Sequence, residues 1–339
     1  MPREGRASGG DIEQRERGRP RVSLVVPVKN EARRIEQALA ALRAQTLPPV
    51  EVLVVDGHSL DGTADLARSC GARVFFEEYG TRAGACQVGV QNAVGDLIAF
   101  TDADCVPAAN WLETLAANLE DGVVGVGGRI VNEGDTFWQR AVDGALDTLV
   151  GSANSVQGRM FRERRFVTSI SGSNSLYRRA DLLAIGGFRT DLVTTEDTEL
   201  NRRLLERGRL LYVPDAVVRH RHGRGLRDFA RRMFQYGFGR GQSLLLGVPL
   251  VMPAGSVALV TIAALMPSYA AILAAAYAAV LLASAASAAI RKRRAGFLLG
   301  LPIIYVIEHA SYVAGFWVGV LKSRLPRGRK RPVAEGSPP

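Results

Sequence analysis

The chain has 339 residues, enough for one large domain or two of ordinary size, and it carries a net charge of +10. Its positive charge lies mostly in blocks that flank or interrupt apolar stretches, which favours an anionic membrane surface as a partner and argues against a nucleic-acid-binding protein. The three cysteines, at positions 70, 86 and 105, show no C-x-x-C spacing, which argues against a disulfide framework or a zinc knuckle and favours a reducing cytosolic setting.

The first 21 residues contain six arginines and four acidic residues, without the apolar core of a signal peptide. We predict a disordered basic leader over residues 1–21, because such a segment has too little apolar surface to fold. The catalytic part of the chain is therefore expected to stay in the cytosol.

From residue 22 to residue 100, short apolar runs rich in β-branched residues alternate with stretches of helical spacing. We predict strands over residues 22–28, 51–55, 73–76 and 97–100, and helices over 32–44, from 63 to about 70, and over 84–94. This β-α-β-α order predicts an α/β fold with a Rossmann-like, mostly parallel sheet that binds a nucleotide.

Beyond residue 104 the pattern is mixed. Helices are predicted over residues 111–119, 136–150 and 181–185 and from Glu196 to about residue 208, and strands over 123–131 and 210–213. A stretch over 224–240 combines arginines with aromatic residues and is predicted to be an amphipathic helix at a membrane interface. The catalytic domain is expected to occupy residues 22–242.

Three apolar segments follow, over residues 244–266, 269–290 and 297–321, each near the ~20 residues that a spanning helix needs. We predict a membrane region of two to three apolar helices at 243–321, a basic disordered tail at 322–339, and a multi-pass protein of the cell membrane with its catalytic domain in the cytoplasm. Glu308 and His309 are costly in hydrocarbon, and two prolines interrupt the first segment, so one of these segments is alternatively re-entrant or interfacial.

The apolar run that ends at Phe100 leads into two aspartates, Asp102 and Asp104, which cannot be core residues. In open α/β sheets, ligands bind beyond the carboxyl ends of the strands. Because residues i and i+2 of an extended chain point the same way, both carboxylates are expected to hold Mg²⁺ or Mn²⁺ together with a diphosphate. A solvated turn is the alternative for an isolated D-x-D.

Five further residues near strand ends are candidates for binding a nucleotide sugar. Asp56 ends the second strand and can accept hydrogen bonds from a base or ribose, while the planar fork of Arg82 suits a phosphate or a base edge. Pro27 and Val28 offer backbone beside the base, with Glu31 near the ribose. Singly, these residues are explained as a turn, a surface cation or a helix-terminal charge; their joint placement at consecutive strand ends favours a site.

The sequence contains neither a P-loop nor a G-x-G-x-x-G fingerprint after the first strand, which argues against an ATPase and a dinucleotide dehydrogenase. A metal with a diphosphate indicates a reaction in which a nucleoside diphosphate leaves, and such a reaction needs a base for the attacking hydroxyl. Glu196 and Asp197 open a helix, whose dipole keeps a carboxylate ionised, and they are the candidate base. Capping of that helix is the alternative role.

These residues fall in ordered motifs: P-V-K-N-E at 27–31, D-G-H-S-L-D-G-T at 56–63, D-A-D at 102–104, and G-G-F at 186–188 followed by E-D at 196–197. Over about residues 22–240 the chain thereby resembles the family 2 glycosyltransferases, which are inverting enzymes with the GT-A fold. The resemblance implies that Asp56 contacts the base, Asp102 the ribose and Asp104 the metal, and that Asp197 is the catalytic base. It also implies a UDP- or GDP-linked sugar donor and a divalent cation.

The chain departs from the cellulose-synthase-like members, because Q-Y-G-F-G-R-G at 235–241 stands where their Q-x-x-R-W would be, so processive polymer synthesis is not expected. The apolar C-terminal segments favour a lipid-linked or glycan acceptor at the membrane. The alternative is a catalytically silent membrane module that binds a nucleotide sugar or a partner, and the intact Asp104 and Asp197 argue against it. His220 and His222 are interpreted as a solvated basic turn, with a metal or diphosphate contact as the alternative.

Overall fold

The computed structural model of the chain describes residues 19–152, 161–221, 225–243 and 250–324. Nearly all of the predicted leader and tail, and His222, lie outside these ranges. The described strands form one mixed sheet and are, in chain order, β1 Val22–Val28, β2 Glu51–Asp56, β3 Arg73–Phe76, β4 Leu97–Phe100, β5 Cys105–Pro107, β6 Val123–Asn132, β7 Arg165–Val167, β8 Ser175–Arg178 and β9 Arg209–His220.

Helices cover both faces of the sheet and continue beyond it as a C-terminal helical region. Those described are α1 Ile35–Arg43, α2 Thr63–Ser69, α3 Arg82–Asn92, α4 Trp111–Ala117, α5 Phe137–Leu146, α6 Leu149–Ser152, α7 Arg179–Ala184, α8 Glu196–Leu204, α9 Leu226–Ser243, α10 Val251–Leu265, α11 Pro267–Lys292 and α12 Phe297–Arg324.

One half of the sheet, in the order β3-β2-β1-β4, is wholly parallel. All seven residues of β1 are buried because its side chains alternate between two cores. Leu24 shares one core with Leu39 of α1, whereas Val25 shares the other with Val90 of α3. Val28 pairs with Asp56, so the carboxyl ends of β1 and β2 meet at one edge, as the sequence predicted for an α/β sheet.

The other half of the sheet is mixed. β8 lies antiparallel between β4 and β6, and β9 runs parallel to β6 but antiparallel to β5 and β7. The three strands β5, β7 and β8 were not predicted, because runs of three or four residues carry no periodic signal. The pairing of Cys105 with His220 matters for function, since it brings the end of β9 to the loop after β4.

Two C-terminal helices, over Pro267–Lys292 and Phe297–Ser323, are long and apolar enough to cross a membrane by length and composition. The third apolar helix, α10, has 15 described residues, and the start of its predicted segment lies outside the described ranges. α11 leaves Ile272, Val280 and Leu282 more than half exposed, unlike a core helix of a soluble domain. α9 occupies the predicted interfacial stretch and packs along α12.

Candidate active site

Asp56 is a fully buried carboxylate at the end of β2, and one of its two oxygens accepts hydrogen bonds from the protein. Its Oδ1 accepts hydrogen bonds from the backbone N–H of Ser59 at 2.8 Å and from the Ser59 hydroxyl at 2.7 Å. Its Oδ2 is buried and has no hydrogen-bond partner among the described residues. Because buried acceptors are almost always paired, this oxygen fits a donor N–H supplied by a ligand, such as that of a nucleotide base.

The two N-terminal motifs hold each other in place around Asp56. Asn30 adopts a left-handed backbone, with φ at 56°, and its N–H donates to Ser59 Oγ at 2.7 Å. The N–H of Glu31 donates to the hydroxyl of Thr63 at 2.8 Å, and the Glu31 carboxylate pairs with Arg34 at 3.1 Å. Pro27 and Val28 lie beside Asp56 in β1, and the Val28 carbonyl accepts the N–H of Gly57 at 2.9 Å.

Arg82 joins the loop after β4 to the start of α8. It follows the N-cap Thr81, and its Nη2 and Nε donate to Asp102 Oδ1 at 2.7 and 3.1 Å. Its Nη1 donates to Glu196 Oε1 at 2.6 Å, and its Nη2 also reaches the Gly172 carbonyl at 3.1 Å. The guanidinium predicted to meet the nucleotide sugar therefore connects two acidic residues of the site.

Glu196 and Asp197 have different surroundings although they are neighbours in sequence. Burial raises the pKa of the Glu196 carboxyl, and the Arg82 guanidinium opposes that rise. Asp197 is half-buried; its Oδ2 accepts the N–H of Gly172 at 3.1 Å and its Oδ1 accepts the N–H of Thr198 at 2.6 Å. The Glu196 carboxylate is thus paired with Arg82, and the Asp197 residue is the more exposed of the two.

Asp104 and His220 form the centre of a candidate metal site. His220 Nε2 lies 3.1 Å from Asp104 Oδ2, and Cys105 Sγ lies 3.7 Å from Asp104 Oδ1. One ligand atom from each of the three residues lies within 4.8 Å of the others. Burial raises the pKa of the Cys105 thiol, which keeps it protonated and makes the carboxylate and the imidazole the better ligands. His220 Nδ1 contacts Asn132 Oδ1 at 3.0 Å, an outer hydrogen bond of the kind that orients metal-bound histidines.

The two aspartates of the D-A-D motif have different partners. The chain does not stay extended after β4: the N–H of Cys105 donates to the Asp102 carbonyl at 3.1 Å, which closes a turn. Asp102 contacts Arg82, whereas Asp104 contacts His220. The turn removes the side-chain alternation from which two converging carboxylates were expected, and metal binding by Asp102 stays a prediction.

Two residues of the site were missed or misread in the sequence. His220 was interpreted as part of a solvated basic turn, but it lies at the end of β9, mostly buried, against Asp104. Gly172 was not among the residues predicted for the site, yet its carbonyl and N–H connect Arg82 with Asp197. A Cβ built on Gly172 would lie 2.9 Å from Arg82 Nη1, so the glycine permits this close approach.

A cleft of about 200 Å³ opens beside Asp104. Arg34 and Arg221 contribute cations to its wall, together with the carboxylate of Glu133. A space of this size next to a candidate metal site can receive part of a polar ligand, and guanidinium groups suit phosphate oxygens.

Residues 23–186 match the protein-family model described as glycosyl transferase family 2. Glycosyltransferase AglE of Haloferax volcanii is 28% identical over 241 residues, which cover 67% of this chain and 75% of that protein. Pre-mycofactocin glycosyltransferase of Mycobacterium tuberculosis is 30% identical over 226 residues, which cover 64% of this chain and 46% of that protein, so the match spans less than half of the latter's length.

Among solved structures, the mannosyltransferase PcManGT from Pyrobaculum calidifontis in complex with GDP-Man and Mn²⁺ aligns with a TM-score of 0.59 at 23% identity. The alignment covers 91% of this chain and 88% of that one, and it shows a common fold. The sheet, the ordered motifs and these matches support a family 2 glycosyltransferase with a GT-A-like fold, as the sequence motifs indicated.

Proposed function

We propose that the chain is a metal-dependent inverting glycosyltransferase that moves a sugar from a UDP- or GDP-linked donor to a hydroxyl acceptor. The observation that carries the proposal is the bridge made by Arg82, which binds Asp102 and Glu196 simultaneously. Asp102 and Glu196 are 94 positions apart in sequence (196 − 102), and their shared contact with Arg82 supports one site formed by the loop after β4 and the start of α8.

Donor binding is assigned to the strand ends. Asp56 Oδ2, which has no partner among the described residues, is assigned to an N–H of the nucleotide base. Pro27 and Val28 beside it in the sheet are assigned to the base, and Glu31 and Asp102 to the ribose. Asp104 and His220 would hold Mg²⁺ or Mn²⁺, which when bound supplies a Lewis acid for the leaving diphosphate. The presence of GDP-Man and Mn²⁺ in the Pyrobaculum mannosyltransferase supports this assignment.

Asp197 is assigned the role of general base. Its carboxylate takes the proton of the acceptor hydroxyl as that oxygen forms a bond to the anomeric carbon. The bond between the anomeric carbon and the diphosphate oxygen breaks on the opposite face, so the configuration inverts and the nucleoside diphosphate leaves. Glu196 is a poor second choice, because Arg82 occupies its carboxylate.

We further propose that the C-terminal helices attach the enzyme to a membrane with anionic lipids, on the cytoplasmic side. The exposed apolar side chains of α11 and the arginines of α9 support this placement. A lipid-linked acceptor, or a glycan carried at the membrane, fits an active site tethered in this way. The multi-pass arrangement expected from the sequence requires α12 to leave the catalytic domain. The packing of α12 along that domain instead favours an arrangement in which α12 does not cross the membrane.

The test is Asp197→Asn, which preserves the shape of the side chain but cannot take a proton. We expect transfer to fall roughly 10²–10⁴-fold, the usual contribution of a positioned base, while donor and metal binding persist. Transfer is measured with labelled UDP- and GDP-sugars and a membrane lipid extract in detergent, and donor binding by calorimetry with Mn²⁺.

The matched control is Asp191→Asn, since Asp191 lies on the same segment but pairs with Arg189 at 2.9 Å, and its variant should transfer normally. Full transfer by Asp197→Asn together with loss in Glu196→Gln would move the base to Glu196. Donor binding by the wild-type chain without transfer to any acceptor would instead support the silent membrane module.

A further inference from the structure

The long apolar helix α12 lies against the catalytic domain at its N-terminal end and at its middle. A Cβ built on Gly144 of α5 would lie 2.7 Å from the ring of Phe297, the first residue of α12. Halfway along the helix, His309 Nε2 contacts the carbonyl of Val150 in α6 at 3.1 Å. The first half of α12 is therefore held on helices that follow directly from the sheet.

The second half of α12 lies against α9, which itself touches the active-site segment. A Cβ built on Gly319 would lie 2.2 Å from the Phe238 carbonyl oxygen, so the two helix backbones are in contact. On another face of α9, a Cβ built on Gly239 would lie 2.2 Å from Thr194 Oγ1, two residues before Glu196. From residue 297 to residue 319, about 33 Å of helix at ~1.5 Å per residue, α12 stays beside the catalytic domain.

A helix that crosses a bilayer moves away from a cytoplasmic domain within a few turns, and α12 does not do so. Its polar residues agree with this, because Glu308 is buried beside Gly151 and His309 bonds to Tyr277 and Val150 rather than facing lipid. Leu299, nine positions before Glu308 and therefore about 180° around the helix from it, is 66% exposed. The packing of α12 along the catalytic domain, and not a charged face of its own, therefore favours a helix that lies at the membrane surface over one that crosses the bilayer.

The helices α10 and α11 form a hairpin that turns at Met266 and Pro267, and each leg is attached to α12. On α10, Trp317 Nε1 lies 3.4 Å from Ser256 Oγ; on α11, Ser284 bonds to Tyr305 at 3.0 Å and, nearer the turn, Tyr277 bonds to His309 at 2.7 Å. Each leg extends ten residues beyond the one of these hydrogen bonds that is nearest the turn, from 256 to 266 and from 277 to 267. Ten helical residues reach about 15 Å, half of the ~30 Å hydrocarbon core of a bilayer.

The chemistry of the hairpin agrees with this depth. Residues 241–290 contain no Asp, Glu, Lys or Arg, and the turn itself offers no charged loop to the far side of a membrane. Leu265 and Tyr269, on either side of the turn, are 74% and 61% exposed. The charges lie at the base of the hairpin instead, where Lys292 pairs with Asp147 of the catalytic domain at 2.8 Å and is followed by Arg293.

We propose that the C-terminal region binds a single leaflet of an anionic bilayer, with α10 and α11 as a re-entrant hairpin and α12 in the headgroup plane. Both ends of α12 and the catalytic domain then lie on one side of the membrane. The proposal rests on the membrane attachment included in the proposed function, and it replaces the multi-pass topology by a monotopic one.

The experiment is cysteine labelling in full-length protein, in spheroplasts and in sealed inverted vesicles of an expression host. The half-buried Cys70 reports the side of the catalytic domain, and Cys70→Ser provides the background for the other positions because Cys86 and Cys105 are buried. Single cysteines are placed at the turn by Ser268→Cys and at the two ends of α12 by Arg294→Cys and Lys322→Cys.

With a membrane-impermeant maleimide, the cysteines at 294 and 322 should label only from the side that labels Cys70. The cysteine at 268 should label from neither side, and should react with a permeant maleimide or after detergent is added. Labelling at 268 from the far side, or at 294 and 322 from opposite sides, would overturn the proposal.

Flotation with vesicles of phosphatidylethanolamine and phosphatidylglycerol separates this question from membrane attachment as such. Protein that stays at the bottom of the gradient refutes both the attachment and the monotopic arrangement. Protein that floats, while labelling from opposite sides at 294 and 322, retains the attachment and refutes the monotopic arrangement alone. Neither result depends on the transfer assay with Asp197→Asn, so failure of the catalytic assignment is recognised separately.

Discussion

Asp56 gives a direct test of donor recognition at the scale of one atom. Ser59 supplies only donors to Oδ1, so Asp56→Asn must keep its carbonyl oxygen there and place its NH₂ group at the buried Oδ2 position. The side-chain NH₂ group, a hydrogen-bond donor, then faces the N–H group of the nucleotide base, and the two cannot bond. We expect the affinity for UDP or GDP to fall by about 10–100-fold, from an unmade buried hydrogen bond worth ~1–3 kcal/mol.

Calorimetry with Mn²⁺ present measures this loss. Asp65→Asn is the control, because Asp65 is exposed on the neighbouring helix α2 and pairs only with Arg68 among the described residues, at 2.7 Å. Unchanged nucleotide affinity in Asp56→Asn would remove Asp56 from the base site.

Asn132 tests whether the pair of Asp104 and His220 binds metal. Its amide oxygen lies 3.0 Å from His220 Nδ1 and is positioned to orient the imidazole. Removing such an outer partner typically lowers metal affinity ~10–100-fold, and we expect this range for Asn132→Ala, with His220→Ala losing at least as much. Mn²⁺ titration followed by electron paramagnetic resonance gives the affinities. Equal Mn²⁺ binding by His220→Ala and the wild type would exclude His220 as a ligand.

Glu196 makes a prediction about pH. Burial raises its pKa in the folded chain, so between the ordinary carboxyl pKa and this raised value the folded state binds more protons than the unfolded state. The contribution of Glu196 to stability is therefore fully present below its ordinary pKa, and is lost as pH rises through the raised one.

Glu196→Gln cannot ionise, and its free energy of unfolding should depend less steeply on pH in this window. Denaturant unfolding at a series of pH values, with both proteins in the same detergent, measures the two slopes. Parallel curves would show that the Arg82 guanidinium fully offsets the burial.

At the scale of elements, α9 contacts the segment that precedes Asp197, the proposed catalytic base. Thr194 Oγ1 donates to the Gln235 carbonyl of α9 at 2.8 Å, and the next residue, Thr195, has a left-handed backbone with φ at 64°. Gly239→Ala would place a methyl group against Thr194 and push this segment away. A displacement of ~1 Å can cost up to about 10²-fold in rate, so we expect kcat to fall toward that limit while donor affinity is retained.

Gly255→Ala is the matched control, because a Cβ built on Gly255 meets no atom within 4 Å. Steady-state transfer kinetics and donor calorimetry on both variants distinguish a displaced base from a misfolded protein. A wild-type kcat in Gly239→Ala would show that α9 does not position Asp197.

The same scale shows why the sequence predicted some elements and missed others. β1, β2 and β4 were predicted because each is an apolar run buried between two helical layers, where the sequence signal is strong. β8 was not, because Ser175–Arg178 is only four residues long and its place between β4 and β6 depends on contacts distant in sequence. Local patterns record burial well and pairing between remote segments poorly.

The candidate site follows the same rule. Asp56, Asp104 and Asp197 lie inside ordered motifs, so the sequence could nominate them as candidates through the family resemblance. His220 acquires its role only when β9 pairs with β5, and Gly172 only when its loop meets Arg82. The different partners of Asp102 and Asp104 follow a turn after β4 that is closed by a backbone hydrogen bond, and a side-chain pattern does not predict such a bond.

At the scale of the whole molecule, the composition change after residue 243 does not coincide with a gap in packing. Phe229 and Met233 of α9 share a buried core with Leu301 of α12 and Ala141 of α5. A chain cut after Ser243 would expose this core, and we expect it to aggregate without detergent, since contiguous apolar patches of this kind associate in water.

Size-exclusion chromatography of the truncated and full-length proteins, with and without detergent, tests this expectation. A monodisperse, detergent-free truncated protein with normal donor affinity would show that the catalytic domain and the C-terminal helices fold independently.

The contact between Gly239 and Thr194 also fixes a distance. The proposed catalytic base, Asp197, lies three residues after Thr194, which contacts α9, and α9 packs on α12, the helix that we propose lies at the headgroups. Under these two proposals the fold sets the height of the reaction above the lipid. An acceptor hydroxyl on a lipid headgroup would reach the base by lateral diffusion in two dimensions, at a level that its linker must match. The length of the linker between the lipid and the acceptor hydroxyl would then select among acceptors, in addition to any recognition of the acceptor's sugar.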